Sequence, residues 1–70
     1  MLKVGLHIDR DNIDVIKQKL NDLACQITHI GYYKNVTVIY ILSDSEIITL
    51  LKKDPLVNTI EYEEKIEIMF

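Results

Sequence analysis

The sequence predicts an α+β fold with the element order βαββαβ, in which a four-stranded antiparallel sheet carries two helices on one face. Three observations predict it. Residues 2–8 alternate apolar and other side chains, which is typical of a strand. Two later segments place apolar residues at helical spacing, and each is followed by strand-like sequence. This split βαβ order is that of the ferredoxin-like fold, whose crossover handedness puts both helices on one side of the sheet.

The first two elements follow from their periodicities. Apolar side chains alternate along the first strand at Leu2, Val4, Leu6 and Ile8. The next segment has helical spacing, with apolar residues at Ile13, Ile16, Leu20, Leu23, Ala24 and Ile27. Asp9 or Asp11 is expected to cap the first turn of this helix, where a carboxylate also suits the helix dipole.

Residues 28–42 predict two strands joined at Lys34-Asn35, where Asn35 would supply the positive φ of a tight hairpin. The second of these strands is apolar on both faces, so we expect it at the centre of the sheet. We also expect Ile39, Ile41 or their neighbours on the face without helices. Such a bare, partly apolar face usually marks a partner surface or a surface of self-association.

The second helix is predicted to begin at Ser43, which has capping-box spacing to Glu46. Its expected buried stripe is Ile47, Leu50 and Leu51. Pro55 cannot continue a helix, so a last strand is expected from Val57 onward.

Composition limits the class of protein. The 70 residues suffice for a single domain, residues 1–70, and the net charge of −3 disfavours a nucleic-acid partner. No apolar run has the length of a membrane span or of a signal-peptide core, so we expect no membrane partner. The expected location is cytoplasmic, or secreted if the chain is a segment cut from a longer precursor.

Residues that could carry chemistry are few. His7 and His29 have no ligand partner at metal-site spacing and are expected at the surface or a sheet edge. The lone Cys25 is expected to be a half-buried, inert thiol. Only two glycines exist, so no phosphate-binding loop is predicted. We therefore expect no enzyme activity, no catalytic residue, no cofactor and no metal site.

Acidic residues cluster near the end of the sequence, at Glu61, Glu63, Glu64 and Glu67. One interpretation is a solvated edge strand protected by charge. The other begins from strand alternation, which puts Glu61 and Glu63 on one side, about 6.6 Å apart. Two such carboxylates can accept the free N–H groups at the starts of two helices in a partner.

Residues 45–70, SEIITLLKKDPLVNTIEYEEKIEIMF, resemble the C-terminal half of subtilisin propeptides and of free-standing subtilase inhibitors. In that family a helix ends in a stretch like LKKDP, followed by an acidic strand and a short apolar tail. Here the matching positions are residues 51–55, Val57, Ile60, Glu61 and Glu63. The similarity in motif covers about the last third of the chain, and the first half shares only the pattern of elements.

The resemblance implies an inhibitor, or an intramolecular-chaperone-like propeptide, of a subtilisin-like serine protease, present as a monomer or in a 1:1 complex. The open sheet face would pack on two protease helices capped by Glu61 and Glu63. The tail would then lie in the substrate cleft like a product. The implied protease-binding residues are Glu61, Glu63, Glu67, Ile68, Met69 and Phe70. Either Met69 or Phe70 would fill the primary specificity pocket.

An alternative of a different class stays open. The chain could be a small ferredoxin-like module that binds a ligand or associates with its own copy through the sheet face, with no protease partner.

Overall fold

The computed structural model describes residues 1–62, and its four strands form one antiparallel sheet in the order β2-β3-β1-β4. The predicted order βαββαβ and the ferredoxin-like fold class are confirmed. A short 3-10 turn, Arg10–Asn12, precedes the first helix. The elements are β1 (Leu2–Ile8), α1 (Ile13–Asp22), β2 (Gln26–Tyr32), β3 (Thr37–Ser43), α2 (Ser45–Lys52) and β4 (Val57–Tyr62).

The core lies between the two helices and one face of the sheet. Apolar side chains of β1 and β3 alternate onto this face, and each helix contributes a pair from its inner side. Aliphatic residues make up this core: Val4, Leu6, Ile8, Ile16, Leu20, Ile39, Ile41, Ile48, Leu51 and Val57. Most of these side chains are completely buried, so water exclusion is the main stabilising term for this small domain.

The first helix begins at Ile13, where its apolar spacing begins, but ends earlier than that spacing predicts. It ends at Asp22, Ala24 adopts a left-handed φ of 57°, and Ile27 belongs to β2. The N–H of Cys25 donates to the carbonyl of Leu20 at 2.9 Å, which closes the helix through a left-handed residue. The periodicity continued past the real end because β2 also sends apolar side chains to the core.

The predicted cap of the first helix is also wrong. The N-cap residue of α1 is Asn12, because the 3-10 turn comes between Asp9 and the helix. Neither Asp9 nor Asn12 makes a side-chain cap hydrogen bond. Asp9 instead accepts a hydrogen bond at 3.2 Å from the side-chain amide of Asn58, at the start of β4.

The strands β2 and β3 are joined at Lys34-Asn35, as predicted, but without the predicted positive φ at Asn35. The N–H of Tyr33 donates to the carbonyl of Val36 at 2.9 Å, and Lys34 and Asn35 reverse the chain between them. Among the described non-glycine residues only Ala24 has a positive φ, so Asn35 does not supply one. A turn of type I needs no positive φ at its central residues.

The second helix begins one residue later than predicted. Ser43 is the buried last residue of β3, and the N-cap residue is Asp44, without a side-chain cap bond. The capping box with Glu46 is therefore absent. Ile48 and Leu51, three residues apart, define the buried face, which leaves Leu50 57% exposed. The predicted helix end before Pro55 and the strand from Val57 are confirmed.

The strand β3 is central, as predicted, and of the two alternatives for the face without helices, the neighbours of Ile39 and Ile41 lie there rather than the isoleucines themselves. Ile39 pairs with Leu6 and Ile41 with Val4, and all four face the helices. Their neighbours in β3 therefore face the other way: Val38, Tyr40 and Leu42. The side of the sheet away from the helices therefore carries Tyr40 between Val38 and Leu42 on this strand.

Candidate protein-binding face

The side of the sheet away from the helices, called here the open face, is organised in rows that cross all four strands. Directly paired residues on neighbouring strands share a face. One row consists of Glu61, Gly5, Tyr40 and His29, read from β4 through β1 and β3 to β2. A second row consists of Thr59, His7, Val38 and Gly31.

Glu61 forms the acidic end of the first row. Its side chain is 55% exposed, and its Oε1 lies 3.9 Å from Nε2 of His7. This separation is an ion-pair distance and is too long for a hydrogen bond. The Nε2 atom of His7 is buried and makes no hydrogen bond with the described residues. The Glu61 carboxylate is therefore placed at the surface with capacity to accept further hydrogen bonds.

An aromatic cluster forms the opposite end of the row. The rings of His29 and Tyr40 stack with centroids 5.6 Å apart and planes inclined by 29°. The hydroxyls of Tyr33 and Tyr40 are 3.4 Å apart. Together with Lys3, these three residues line a shallow cavity of about 210 Å³. Each of these four described side chains carries a hydrogen-bond donor, and the exposed imidazole of His29 can donate to an acceptor at this end of the open face.

Two glycines let the aromatic rings lie flat on the sheet. A Cβ on Gly5 would stand 2.9 Å from Cγ1 of Val38 and 3.0 Å from Cε1 of Tyr40. A Cβ on Gly31 would stand 2.9 Å from Cε2 of Tyr33. All three distances are shorter than van der Waals contact, so a larger residue at either glycine would push the neighbouring side chains off the sheet.

A second cavity, of about 290 Å³, lies on the other side of the molecule between the ends of the two helices. Its central contact is between Nζ of Lys19 and Oδ2 of Asp54, at 2.6 Å. The other carboxylate oxygen of Asp54 accepts the backbone N–H of Leu56 at 2.9 Å. The Lys19 hydrogen bond, aided by the Leu56 N–H, lowers the pKa of Asp54 below its usual value. This cluster ties α1 to the turn after α2, and we interpret it as structural.

The predicted site residues divide into two groups. Glu61 lies on the open face, as its proposed role requires, whereas Glu63, Glu67, Ile68, Met69 and Phe70 lie outside the described residues. The spacing of Glu61 and Glu63 on one side of the strand thus stays a prediction.

The other candidates mostly lie where they were expected. His29 is exposed on the edge strand β2, whereas His7 is half-buried on β1, which lies between β3 and β4. The expected surface or edge position therefore holds for His29 but not for His7. Cys25 is half-buried, with its Sγ 3.5 Å from Oγ of Ser43. Within residues 1–62 no group of three or more His, Cys, Asp or Glu side chains is arranged to hold a metal ion. In that same range neither helix is long and apolar enough to span a membrane.

The aromatic cluster was not predicted as a unit. His29 and Tyr40 come from β2 and β3 and meet because they pair, and Tyr33 reaches Tyr40 from the connection between these strands. The hairpin could have indicated this contact, because His29 and Tyr40 lie at comparable distances in sequence from the turn at Lys34-Asn35.

Comparisons with known proteins add no relative: no protein-family model, no curated protein and no solved structure matches this chain.

Proposed function

We propose that this chain is an inhibitor, or an intramolecular-chaperone-like propeptide domain, of a subtilisin-type serine protease. The single observation that supports the proposal best is the position of Glu61 on the open face, half-exposed, one residue before β4 ends at Tyr62. A carboxylate in this place can contact a partner that packs on the sheet. The residues that follow it in the sequence can then extend into the partner's cleft.

The chemistry of the proposed contact is that of a helix N-terminus. The first backbone N–H groups of a helix have no partner within the helix, and the helix dipole favours an anion there. Glu61 has free acceptor capacity, because its approach to His7 is longer than a hydrogen bond. If the N-terminus of a protease helix lies against the open face, its free backbone N–H groups can donate to the Glu61 carboxylate. Each such contact contributes about 0.3–1 kcal/mol, and up to about 2 kcal/mol when it is partly buried.

The second part of the proposal concerns the last three residues, Ile68, Met69 and Phe70. An extended segment bound as an added strand gains affinity from backbone hydrogen bonds and specificity from alternate side-chain pockets. The apolar end of the sequence fits the apolar pockets of such a cleft. Either Met69 or Phe70 fills the primary specificity pocket in this arrangement.

Titration of the full chain against a subtilisin-type protease tests the proposal. We expect inhibition at micromolar concentration or below, and a sharp loss of inhibition when residues 68–70 are deleted. The far-UV circular dichroism of the deletion variant should equal that of the full chain. Absence of inhibition by the folded full chain at micromolar concentration would refute the function, and equal inhibition by the deletion variant would refute the role of the tail.

Deletion of Phe70 alone separates the two registers of the tail. If Met69 fills the primary pocket, this deletion leaves the inhibition constant nearly unchanged. If Phe70 fills it, the deletion weakens inhibition almost as much as removal of all three residues.

A ligand-binding module is less well supported. The open-face cavity of about 210 Å³ lies below the range of about 300–1,000 Å³ that is usual for small-molecule sites.

A further inference from the structure

We propose that the open faces of two copies of this chain pair about a twofold axis that runs along the strands between β1 and β3. In this dimer Glu61 of each copy meets the aromatic cluster of the other, with His29 as its nearest partner. The inference does not depend on a protease partner. It rests on the order of residues in one row of the sheet and on the chemistry at the two ends of that row.

The row Glu61, Gly5, Tyr40, His29 crosses all four strands, and a bulge in β2 at Thr28 adjoins its His29 end. Its ends lie on the two edge strands, three strand spacings or about 14 Å apart. One end is a half-exposed carboxylate, and the other is an exposed imidazole stacked on a tyrosine. The two ends of the row therefore differ in chemistry, with a hydrogen-bond acceptor at one end and hydrogen-bond donors at the other.

A twofold axis parallel to the strands preserves the position along each strand and reverses the order of the strands. The row of one copy therefore faces the same row of the second copy, read backwards. Glu61 then opposes His29, and Gly5 opposes Tyr40, on both sides of the axis. Isologous contacts of this kind are self-complementary and occur twice in each dimer.

The shapes and charges of the two ends agree with this arrangement. Among the described residues the cavity beside His29 is lined by Lys3, Tyr33 and Tyr40, and the exposed imidazole of His29 can donate to a carboxylate there. Its volume of about 210 Å³ accommodates one side chain. Tyr40 and Val38 lie low over Gly5, so the middle of the row is flat enough for two faces to approach. Two twisted sheets that pack face to face in aligned orientation cross at about 30°.

The dimer would compete with the proposed protease complex, because both use Glu61 and the open face. Self-association would then store the inhibitor in a form that cannot bind until dilution or a protease separates the copies.

Sedimentation equilibrium of the full chain at neutral pH tests the inference without any protease. We expect a monomer–dimer equilibrium for the wild-type chain. His29→Glu places like charges opposite each other at both contacts, and Glu61→His removes both carboxylates. Each single variant should raise the dimer dissociation constant roughly tenfold or more, because the symmetry counts every substitution twice.

The double variant Glu61→His/His29→Glu exchanges the two ends of the row and is the matched control. It restores both contacts across the axis, so it should recover most of the lost association. Circular dichroism checks that each variant is folded. If a single variant is not folded, Glu61→Gln is used in place of Glu61→His, and His29→Gln in place of His29→Glu.

Three results would overturn the inference. The wild-type chain could be monomeric up to millimolar concentration, its dimer could be insensitive to both single variants, or the double variant could fail to recover association. None of these results bears on inhibition, which is measured with dilute protein. Conversely, a protein that dimerises as expected but inhibits no subtilisin-type protease refutes only the proposed function.

Discussion

The two faces of the sheet are built from the same four strands but are covered by different chemistry. The face under the helices consists of aliphatic side chains, and those of β1 and β3 are wholly buried. The open face carries histidine, tyrosine, lysine and glutamate, which remain partly exposed. Exclusion of water determines the residue types on the first face. On the second face the side chains of Glu61 and His29, at the two ends of one row, are exposed to solvent.

The largest expected effect comes from shortening one side chain on each face of β3. Ile41→Ala removes a fully buried side chain under the helices, and we expect a loss of about 2–5 kcal/mol in the free energy of unfolding. Leu42→Ala, at the adjacent half-buried position, is the matched control and should cost about 1 kcal/mol. Urea denaturation measures both, and equal losses would mean that the two faces are equally part of the core.

The next effect concerns the two glycines beneath the aromatic rings. Gly5→Ala should lower the free energy of unfolding by about 1–3 kcal/mol, because Val38, only 2% exposed, cannot move away from the added methyl group. Gly31→Ala meets the ring of Tyr33, which is 50% exposed and can rotate outward. We therefore expect a smaller loss there, visible as a smaller drop in melting temperature. A larger loss for Gly31→Ala would contradict the described packing of the open face.

The smallest effect lies at the helix side, in the contact of Lys19 with Asp54. The pKa of Asp54 is lower in the folded chain than in the unfolded chain. The contact therefore stabilises the folded state fully at pH values above the unfolded-state pKa of about 3.9. The contribution is lost as the pH falls through the lower pKa of the folded state. Lys19 is 44% exposed, so we expect the contribution to be below about 1 kcal/mol.

Asp54→Asn should remove this part of the pH dependence and leave the hydrogen bond to the Leu56 N–H in place. Urea denaturation at a series of pH values from neutral to acidic measures the difference between variant and wild type. A difference that does not shrink as the pH falls would show that Asp54 acts through something other than its charge.

The same contrast between faces explains what could be predicted from the sequence. Apolar alternation and helical spacing depend on burial, so the βαββαβ order and the ends at Pro55 and Val57 were predictable. Errors arose where apolar residues continued past an element, as at Ala24 and Ile27. Where both faces of a strand were apolar, as at Ile39 and Ile41, the choice of face stayed open. Periodicity shows that such a strand is central but not which of its faces the helices cover.

The candidate site was less predictable because its parts are distant in sequence. Glu61 was identified from a resemblance and from alternation, and the structure puts it on the open face. The row that links it to Tyr40 and His29 depends on the exact register of three strand pairs. Register follows from side-chain packing between strands, which a single sequence does not specify.

The most direct test of the central claim is a pair of inhibition constants against one subtilisin-type protease. Glu61→Gln removes the carboxylate of the open face, and Glu46→Gln removes the same group from the exposed first turn of α2 on the other side of the molecule. We predict that Glu61→Gln raises the inhibition constant by about 2- to 30-fold, the range expected for one contact to a helix N-terminus. Glu46→Gln should leave it unchanged, and equal constants for the two variants would contradict the claim that the open face binds the protease.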